Sequence, residues 1–344
     1  MKTTHQHLIP QTAPLRQALE QLNAMGGAPL ILFATDTDGR VAGSLTDGDI
    51  RRALLRGCTQ ETPVARAMNA AFTALRPAED NFGLLEQARA RNLRMIPRLD
   101  ADGRLVALLD LDKVKALLPL DAVLMAGGRG ERLMPLTAST PKPLLQVGGQ
   151  AIIDYNVAKL RACGIDRVHL CLRYLHEQIE AHFAARHADI DARAIVETKR
   201  MGTFGALSLV RDWRHDDVLV MNADLLSSLD LVEMYRRHRD TGADATMAVA
   251  PYTVAVPFAI IDTDGDRITG MREKPEFNYF ANAGVYILRR SLLGRMAADT
   301  YVDAPDFLLS AIADGLKVTY FPIVGTWIDI GTPEQYARAC SLMK

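Results

Sequence analysis

The sequence predicts an α/β protein in which two short repeats precede a doubly wound sheet. Its 344 residues exceed one ordinary domain, and 49% of them are apolar, enough for several cores. The segment Asp36–Thr46 is echoed at Asp100–Asp110, which indicates two similar modules. After residue 120, strand-like and helix-like patterns alternate. We therefore predict repeats at 1–58 and 59–118 and a third domain at 119–344.

Each repeat follows the same order of elements. A helical pattern, at Leu15–Leu22 or Phe82–Ala90, precedes a D-x-D-G turn that joins two strands. A helix such as Asp49–Leu55 is expected after the second strand of each repeat. The pattern resembles a pair of CBS domains, a family in which neither half buries its apolar surface alone. The segment Lys113–Pro119 is expected to end a helix at its proline, before the third domain begins.

The third domain alternates strand and helix patterns through its first half. This alternation is typical of a doubly wound sheet. Ligands on such sheets lie beyond the carboxyl ends of the strands, so residues that follow a strand are the candidate site residues. The strand patterns are Ala122–Met125, Arg167–Leu172, Ala194–Glu197 and Val218–Met221. The helix patterns between them are Ile153–Cys163, Leu175–Arg186 and Phe204–Asp212.

Charge and cysteine content narrow the classes of partner. The net charge is -1 at pH 7, so neither nucleic acid nor a membrane surface is expected as a partner. The N-terminus lacks the apolar core of a secretion signal, and no apolar run is long enough to span a bilayer. No C-x-x-C pair occurs among the cysteines, which favours reduced thiols and a cytoplasmic location. These cysteines are Cys58, Cys163, Cys171 and Cys340.

A glycine-rich loop follows the first strand of the third domain. Glycines leave backbone amides free to approach an anion, and the loop begins directly after Ala126. Arg132 and Lys142 add positive charge, the first as a two-pronged donor and the second as a point charge. The spacing fits neither a Walker loop nor a dinucleotide fingerprint. We therefore predict a nucleoside triphosphate site of another type, whose loop glycines are Gly127, Gly128 and Gly130.

The loop and the segment after it resemble the sugar-1-phosphate nucleotidyltransferases. That family reads A-G-G-x-G-x-R-L-x-P-L-T and then P-K-P-L, and this chain matches at Ala126–Thr137 and Pro141–Leu144. The resemblance covers about the last two thirds of the chain. It implies a Rossmann-like, GT-A-like mixed sheet. It also implies transfer of a nucleotidyl group to a sugar-1-phosphate, with Arg132 and Lys142 acting on the reacting phosphates.

Two acidic residues fit the metal positions that the resemblance implies. Asp224 follows the strand Val218–Met221, and Asp329 lies in a W-x-D-I-G-T-P segment near the C-terminus. Two carboxylates, each expected at the end of a strand, suit Mg²⁺, which keeps several waters and bridges to substrate phosphates. Asp224 is also implied as a catalytic residue. The alternative is that Asp224 caps a loop and Asp329 shapes a turn.

The resemblance places the nucleotide base near Glu197, Gly202 and Thr203. Thymidylyl-type relatives carry glutamine where Glu197 stands. A carboxylate accepts two hydrogen bonds and therefore matches the N1 and N2 donors of guanine, whereas uracil or thymine presents one donor and a carbonyl. A buried mismatch of this kind costs on the order of 1–3 kcal/mol, so GTP is the favoured nucleotide. The alternative is a solvent-exposed acid at a strand end.

The sugar-1-phosphate is expected to contact a second group of residues. In the family, an E-K-P segment binds sugar hydroxyls and the sugar phosphate, which implies these roles for Glu273 and Lys274. An N-x-G-x-Y segment completes the sugar-binding site of the family, and its asparagine and glycine correspond to Asn282 and Gly284. Asn222 is expected to reach a sugar substituent. A charged surface turn is the alternative for Glu273 and Lys274.

The first CBS-like repeat keeps one candidate ligand site. The family commonly binds adenine nucleotides. The resemblance implies that Thr46 bonds the phosphate or the ribose and that Asp49 accepts hydrogen bonds from the ribose hydroxyls. In the second repeat the equivalent residues are Ala107, Asp110 and Lys113, where a carboxylate would repel a phosphate. Nucleotide sensing and a purely structural role in dimerisation or domain spacing both remain open.

The order of the domains is similar to that of glucosamine-1-phosphate guanylyltransferases of legionaminic acid synthesis. That similarity favours GTP and glucosamine-1-phosphate as substrates. Mannose-1-phosphate guanylyltransferase, or another nucleotide-sugar pyrophosphorylase, is the near alternative. A non-catalytic protein that senses nucleotides is the alternative from another class. Both domain types often self-associate, so a homo-oligomer is expected.

Overall fold

The structure is a computed structural model that describes residues 4–26, 29–77 and 81–343. The chain forms two compact units, residues 1–117 and 118–344. Among the described residues, no helix combines the length and the apolar character that crossing a bilayer requires. The division of the first unit into two CBS repeats stays a prediction.

The first half of unit one is a three-stranded sheet with two helices. The first strand is parallel to the second, and the second pairs antiparallel with the third. Apolar residues at helical spacing, Leu15, Ala18 and Leu22, are buried against this sheet. The elements are β1 (Leu8–Pro10), α1 (Leu15–Ala24), β2 (Ile31–Thr35), β3 (Val41–Thr46) and α2 (Asp47–Leu55).

The second half of unit one repeats the helix and hairpin but not the helix that follows. Its elements are α3 (Leu84–Ala90), β4 (Met95–Leu99) and β5 (Leu105–Asp110). Residues 111–118 form a turn and irregular chain, so the helix predicted to end at Pro119 is wrong. The Arg89 guanidinium explains the difference, because it donates hydrogen bonds to the carbonyls of Leu111, Val114 and Lys115. Those carbonyls therefore accept hydrogen bonds from Arg89 instead of from the backbone amides of a helix.

Unit two is built on a seven-stranded mixed sheet, which confirms the predicted fold class. The strands of this unit are β6 (Leu120–Ala126), β7 (Gln146–Val147), β8 (Gln150–Ala151), β9 (Arg167–Leu172), β10 (Asp191–Val196), β11 (Asp217–Asn222), β12 (Leu225–Ser227), β13 (Ala245–Ala255), β14 (Ile260–Asp264), β15 (Arg267–Arg272), β16 (Glu276–Arg289), β17 (Val318–Pro322) and β18 (Trp327–Asp329). The strand order in the main sheet is β10-β9-β6-β11-β16-β13-β17. The first four strands in that order are parallel, β16 is antiparallel to both neighbours, and β17 is parallel to β13.

Helices connect and cover these strands. Their bounds are α4 (Ile152–Ala162), α5 (His176–Arg186), α6 (Leu231–Thr241), α7 (Arg290–Leu293), α8 (Ala304–Ala313) and α9 (Pro333–Leu342). The pattern at Phe204–Asp212 yields only a 3₁₀ turn, Gly205–Leu209. The amides of Phe204 and Gly205 both bond the carbonyl of Val302, which anchors this segment to a distant loop.

A satellite core lies beside the main sheet and supports the loops of the site. It joins residues that neighbour predicted site residues in the chain: Leu133 next to Arg132, and Ile328 and Ile330 on either side of Asp329. The buried members are Leu133, Leu145, Val147, Ile152, Leu226, Ile328, Ile330 and Ala339. Apolar packing therefore holds segments that are far apart in the sequence next to one another.

Candidate active site

The candidate site lies where the strand order of unit two reverses. From β6 the chain proceeds outward to β9 and β10 and then returns to β11 on the other side of β6. Met125 of β6 is the register partner of Asn222 of β11. Gly127 and Asp224, each two residues further on, therefore leave the sheet side by side. Such a crevice at the carboxyl ends of the strands is the usual ligand site of doubly wound sheets.

Lys142 connects the two acidic residues that the sequence singles out. Its ammonium donates to Oδ2 of Asp224 and lies 3.4 Å from Oδ1 of Asp329. Lys142 is only 9% exposed, so this charge is largely removed from bulk water. Burial raises the pKa of Asp224 above its ordinary value, although the Lys142 ammonium acts in the opposite direction. The cluster is therefore a partly desolvated set of one cation and two carboxyl groups.

Asp329 reaches this cluster through a small second sheet. Strand β18 pairs antiparallel with β12, and the register sets Asp329 opposite Leu225. The amide of Ile330 also donates to the carbonyl of Asp224 at 3.2 Å. The acid was expected at the end of a strand, and it is, but that strand belongs to a two-stranded sheet outside the main one.

The cleft above this edge has a volume of about 480 Å³. Its lining unites the glycine loop, both predicted cations and the predicted base contacts. Arg132 lies beside Gly331, because a Cβ on Gly331 would come 2.8 Å from its Nη2. The predicted residues in the lining are Gly127, Gly128, Gly130, Arg132, Lys142, Glu197, Gly202, Thr203, Asn222 and Asp224. Ala126 ends β6 directly below the loop and is buried.

Glu197 lies in the wall of the cleft rather than in solvent. It is 8% exposed, and its Oε1 would lie 3.1 Å from a Cβ on Gly127. Burial raises the pKa of Glu197, while the amide of Met201 and the charge of Arg173 act against that rise. The exposed strand-end alternative is therefore wrong. A buried carboxylate beside the glycine loop is available to recognise a donor pair on a ligand.

Sequence reasoning missed eight further residues of the lining, among them Arg129, Arg173, Arg200, Tyr301 and Asp303. Arg129 lies inside the glycine loop, and Arg173 follows β9 at the same edge of the sheet, so the strand-end rule applied to every strand would have found both. Arg200 packs over the ring of Tyr301, with its guanidinium carbon 6.0 Å from the ring centre. Asp303 accepts hydrogen bonds from the Thr203 amide and from the Tyr301 hydroxyl. No local motif marks Tyr301 or Asp303.

Two of the predicted sugar contacts lie close to the cleft. Gly284 has φ +73°, and a Cβ there would lie 2.6 Å from Nδ2 of Asn222, so glycine permits this approach. Asn282 donates to the Tyr286 hydroxyl at 2.7 Å and accepts from the Gly284 amide at 3.0 Å. The Asn282 amide thus braces the turn that carries Gly284 beside Asn222.

The other two predicted sugar contacts, Glu273 and Lys274, lie outside the cleft. Glu273 and Lys274 are exposed on the connection between β15 and β16, and neither belongs to the lining of the cleft in the described part of the chain. Their roles stay predictions.

The candidate ligands of the first repeat take part in a helix cap. Thr46 is the N-cap of α2, and its hydroxyl accepts from the Asp49 amide while the Asp49 carboxylate accepts from the Thr46 amide at 2.9 Å. Arg52 donates to the same carboxylate at 2.5 Å. Both side chains therefore already have partners, and nucleotide binding at this site stays a prediction.

Known proteins resemble both units. Residues 121–344 match the family of nucleotidyl transferases, and residues 3–56 match the CBS domain. A mannose-1-phosphate guanylyltransferase of Mycobacterium tuberculosis is 32% identical over 226 residues, which are 64% of this chain and 63% of that protein. The chain therefore spans less than two thirds of that relative.

A second relative is matched over nearly its whole length. The D-glycero-alpha-D-manno-heptose 1-phosphate guanylyltransferase of Aneurinibacillus thermoaerophilus is 29% identical over 227 residues, 64% of this chain and 96% of that protein. The crystal structure of HddC from Yersinia pseudotuberculosis superimposes with a TM-score of 0.52 at 25% identity, over 65% of this chain and 100% of that one. The match to the family extends over more than half of the chain and includes the whole cleft. The chain therefore belongs to the nucleotidyl transferase family and carries a CBS domain at its N-terminus.

Proposed function

We propose that unit two transfers a guanylyl group from GTP to a sugar-1-phosphate, giving a GDP-sugar and pyrophosphate. The observation that carries this proposal is that the glycine loop, Lys142 and Asp224 line one cleft, with Asp329 3.4 Å from the Lys142 ammonium. Cations and free amides suit a triphosphate, and paired acids suit the divalent ion that accompanies it. Few other substrates call for both sets in the same cleft.

The acidic pair fits Mg²⁺. Oδ1 of Asp224 is buried and has no hydrogen-bond partner among the described residues, so a ligand atom is available there. Asp329 contributes a second carboxylate around the same ammonium. Carboxylate oxygens are the ligands that Mg²⁺ prefers in proteins. Asp224 and Asp329 would hold the ion, which when bound supplies Lewis acidity and neutralises phosphate charge.

The reaction needs no nucleophilic side chain. An oxygen of the sugar-1-phosphate attacks the α-phosphorus of GTP, the bond to the β-phosphate oxygen breaks, and pyrophosphate leaves with the electron pair. Because the attacking group is already an anion, the barrier lies in bringing two phosphates together in line. Arg132 and the amides of the glycine loop would stabilise the departing pyrophosphate, and Lys142 would hold a reacting phosphate. Lys274 and Glu273 remain the predicted contacts of the acceptor.

Glu197 supports guanine as the base. Its carboxylate is buried in the cleft wall and offers two acceptor oxygens beside the loop. Guanine presents two adjacent donors to such a group, whereas uracil and thymine present one donor and a repelling carbonyl. The names of both relatives, which are guanylyltransferases, agree with this choice.

Glucosamine-1-phosphate is the proposed acceptor, with a product that supplies legionaminic acid and hence surface glycans. Mannose-1-phosphate is the second candidate, because the mycobacterial relative is named for it. The test measures pyrophosphate release for GTP, ATP, UTP and dTTP against glucosamine-, mannose-, glucose- and heptose-1-phosphate. We expect the highest kcat/KM for GTP with glucosamine-1-phosphate. Preference for mannose-1-phosphate supports the second candidate, and absence of turnover with every pair overturns the enzymatic proposal in favour of a nucleotide-sensing regulator.

We propose a cytoplasmic homo-oligomer whose CBS unit binds an adenine nucleotide. Equilibrium dialysis with labelled ATP and AMP, together with light scattering, tests both statements. A monomer that retains neither nucleotide in its first unit would overturn them.

A further inference from the structure

A cluster of two histidines and one aspartate lies on the helices of unit two, separate from the residues of the cleft. Asp154 belongs to the first turn of α4, His182 to α5, and His187 directly follows α5. Nε2 of His182 lies 2.6 Å from Oδ1 of Asp154, and Nε2 of His187 lies 2.7 Å from the same oxygen. The three ligand atoms all lie within 4.8 Å of one another.

We propose that Asp154, His182 and His187 form a zinc-binding site that fastens α5 to α4. Two imidazole nitrogens and one carboxylate oxygen are a common protein ligand set for Zn²⁺, with a water in the fourth position. Zinc-to-ligand distances of about 2.0–2.2 Å would separate neighbouring ligand atoms to a little over 3 Å. The Asp154–His182 and Asp154–His187 contacts of 2.6 and 2.7 Å would therefore lengthen by less than about 1 Å to admit the ion.

Burial distinguishes this cluster from an ordinary surface ion pair. The side chains of Asp154, His182 and His187 are 11%, 16% and 6% exposed. Burial alone would raise the pKa of Asp154, but hydrogen bonds from His182 and His187 hold it below its ordinary value. Its carboxylate is thus enclosed by two imidazole rings. The two ring nitrogens that face it also suit a borderline-soft ion better than Mg²⁺, which takes oxygen ligands.

The position of α5 gives such a site a structural consequence. Gln178 of α5 donates to the carbonyl of Ser139, and Tyr174, just before the helix, donates to the carbonyls of Thr137 and Ala138. These residues therefore hold the segment between Arg132 and Lys142. A metal ion that fixes the C-terminal end of α5 would restrict the helix that supports this segment. Zinc is thus expected to stabilise unit two and to order the phosphate-binding side of the cleft.

The test uses the full-length protein, stripped with a chelator and kept in millimolar Mg²⁺ so that the Asp224 and Asp329 pair is occupied. Zinc binding is measured by equilibrium dialysis with elemental analysis, and Co²⁺ is added separately for its visible spectrum. We expect one zinc per chain, a rise in Tm on zinc addition, and the intense absorption of four-coordinate Co²⁺. Asp154→Asn and His187→Gln should each weaken zinc binding by about a hundredfold or more, since even partners of metal ligands are worth 10- to 100-fold.

His176→Gln is the matched control. His176 lies on α5 as well, but it pairs with Glu177 and Glu180 on the surface, so its loss should leave zinc stoichiometry and affinity unchanged. The Tm of each ligand variant without zinc is first compared with that of the parent, to show that the variant folds. If Asp154→Asn does not fold, the zinc affinity of His187→Gln alone provides the test. The proposal is overturned if the parent retains no zinc, or if affinity in the ligand variants equals that of the His176 control. In either case the cluster is only a hydrogen-bonded link between the two helices.

Discussion

The ammonium of Lys142 lies 3.4 Å from Oδ1 of Asp329, although the two residues are 187 positions apart in the chain. The same ammonium contacts Asp224. One buried cation thus lies between two acids that arrive from different elements, the loop after β11 and the end of β18. Charge balance within the cleft depends on all three side chains, so changing any one of them alters the electrostatics of the other two.

Arg132→Ala should lower kcat for pyrophosphate release by at least about a hundredfold, comparable to the loss of one preorganised donor to a developing anion. Arg132 lines the cleft beside Gly331 and is expected to meet the leaving pyrophosphate. Steady-state kinetics with GTP and the best acceptor checks this expectation. Arg237→Ala, at an exposed position on α6, is the control. Near-parental turnover in Arg132→Ala would show that another residue stabilises the leaving group.

Asp329→Asn should raise the Mg²⁺ concentration needed for half-maximal activity by about tenfold or more, because the ion loses one charged ligand. The measurement is a Mg²⁺ titration at fixed GTP and acceptor concentrations. Asp240→Asn, an exposed acid on α6, should leave the titration curve unchanged. An identical Mg²⁺ dependence in both variants would remove Asp329 from the metal site.

Glu197→Gln should stabilise the fold while weakening function. Burial raises the pKa of Glu197, so its ionised form costs stability at pH 7, and an isosteric amide raises Tm by roughly 1–3 °C. The rise in Tm is fully present at a pH above the raised pKa of Glu197 and shrinks as the pH falls through that pKa. It is absent below the ordinary pKa of glutamate, about 4.3. Thermal melts across pH test the sign. A lower Tm for Glu197→Gln at pH 7 would contradict it.

The same substitution should also alter the choice of base. An amide presents one acceptor and one donor, so kcat/KM for GTP should fall by about tenfold or more relative to that for UTP or dTTP. Competition between GTP and UTP in one reaction gives this ratio directly. An unchanged ratio would mean that Glu197 does not contact the base.

Gly202→Ala should disrupt the base end of the cleft. Gly202 has φ +76°, and a Cβ would lie 2.5 Å from the carbonyl oxygen of Val302, so backbone has to shift. Gly242→Ala shares a positive φ of +60° but meets no atom within 4 Å. Both variants lose about 1 kcal/mol to backbone strain, and only Gly202→Ala adds the clash. Chemical denaturation and GTP binding should separate the two, and equal stability would contradict the packing.

Thr46→Ala should reduce the stability of unit one by about 1 kcal/mol, the usual value of a helix N-cap. Thr46 and Asp49 form a reciprocal capping box at the start of α2. The loss should appear in denaturation curves whether or not an adenine nucleotide is present. If Thr46→Ala weakens nucleotide binding beyond this stability effect, the residue has the ligand role predicted from the CBS resemblance.

Some errors of prediction share one physical cause. The helix expected before Pro119 does not form, because Arg89 occupies its carbonyls from elsewhere in unit one. The pattern at Phe204–Asp212 likewise yields only a short turn, since two of its amides bond Val302. In both segments the local apolar pattern was compatible with a helix. Tertiary hydrogen bonds from distant residues decided otherwise.

The sequence by itself determined the α/β class and the local pattern of glycines, cations and acids on which the predicted phosphate site depends. Those features are local, because they depend on residue type, short spacing and the periodicity of apolar side chains. Only the tertiary structure decided that Asp329 meets Asp224, through the pairing of β18 with β12, and that Glu197 is buried. Only the tertiary structure brought Arg173, Tyr301 and Asp303 to the cleft. Contacts between distant segments depend on strand register and core packing, which no short window of sequence encodes.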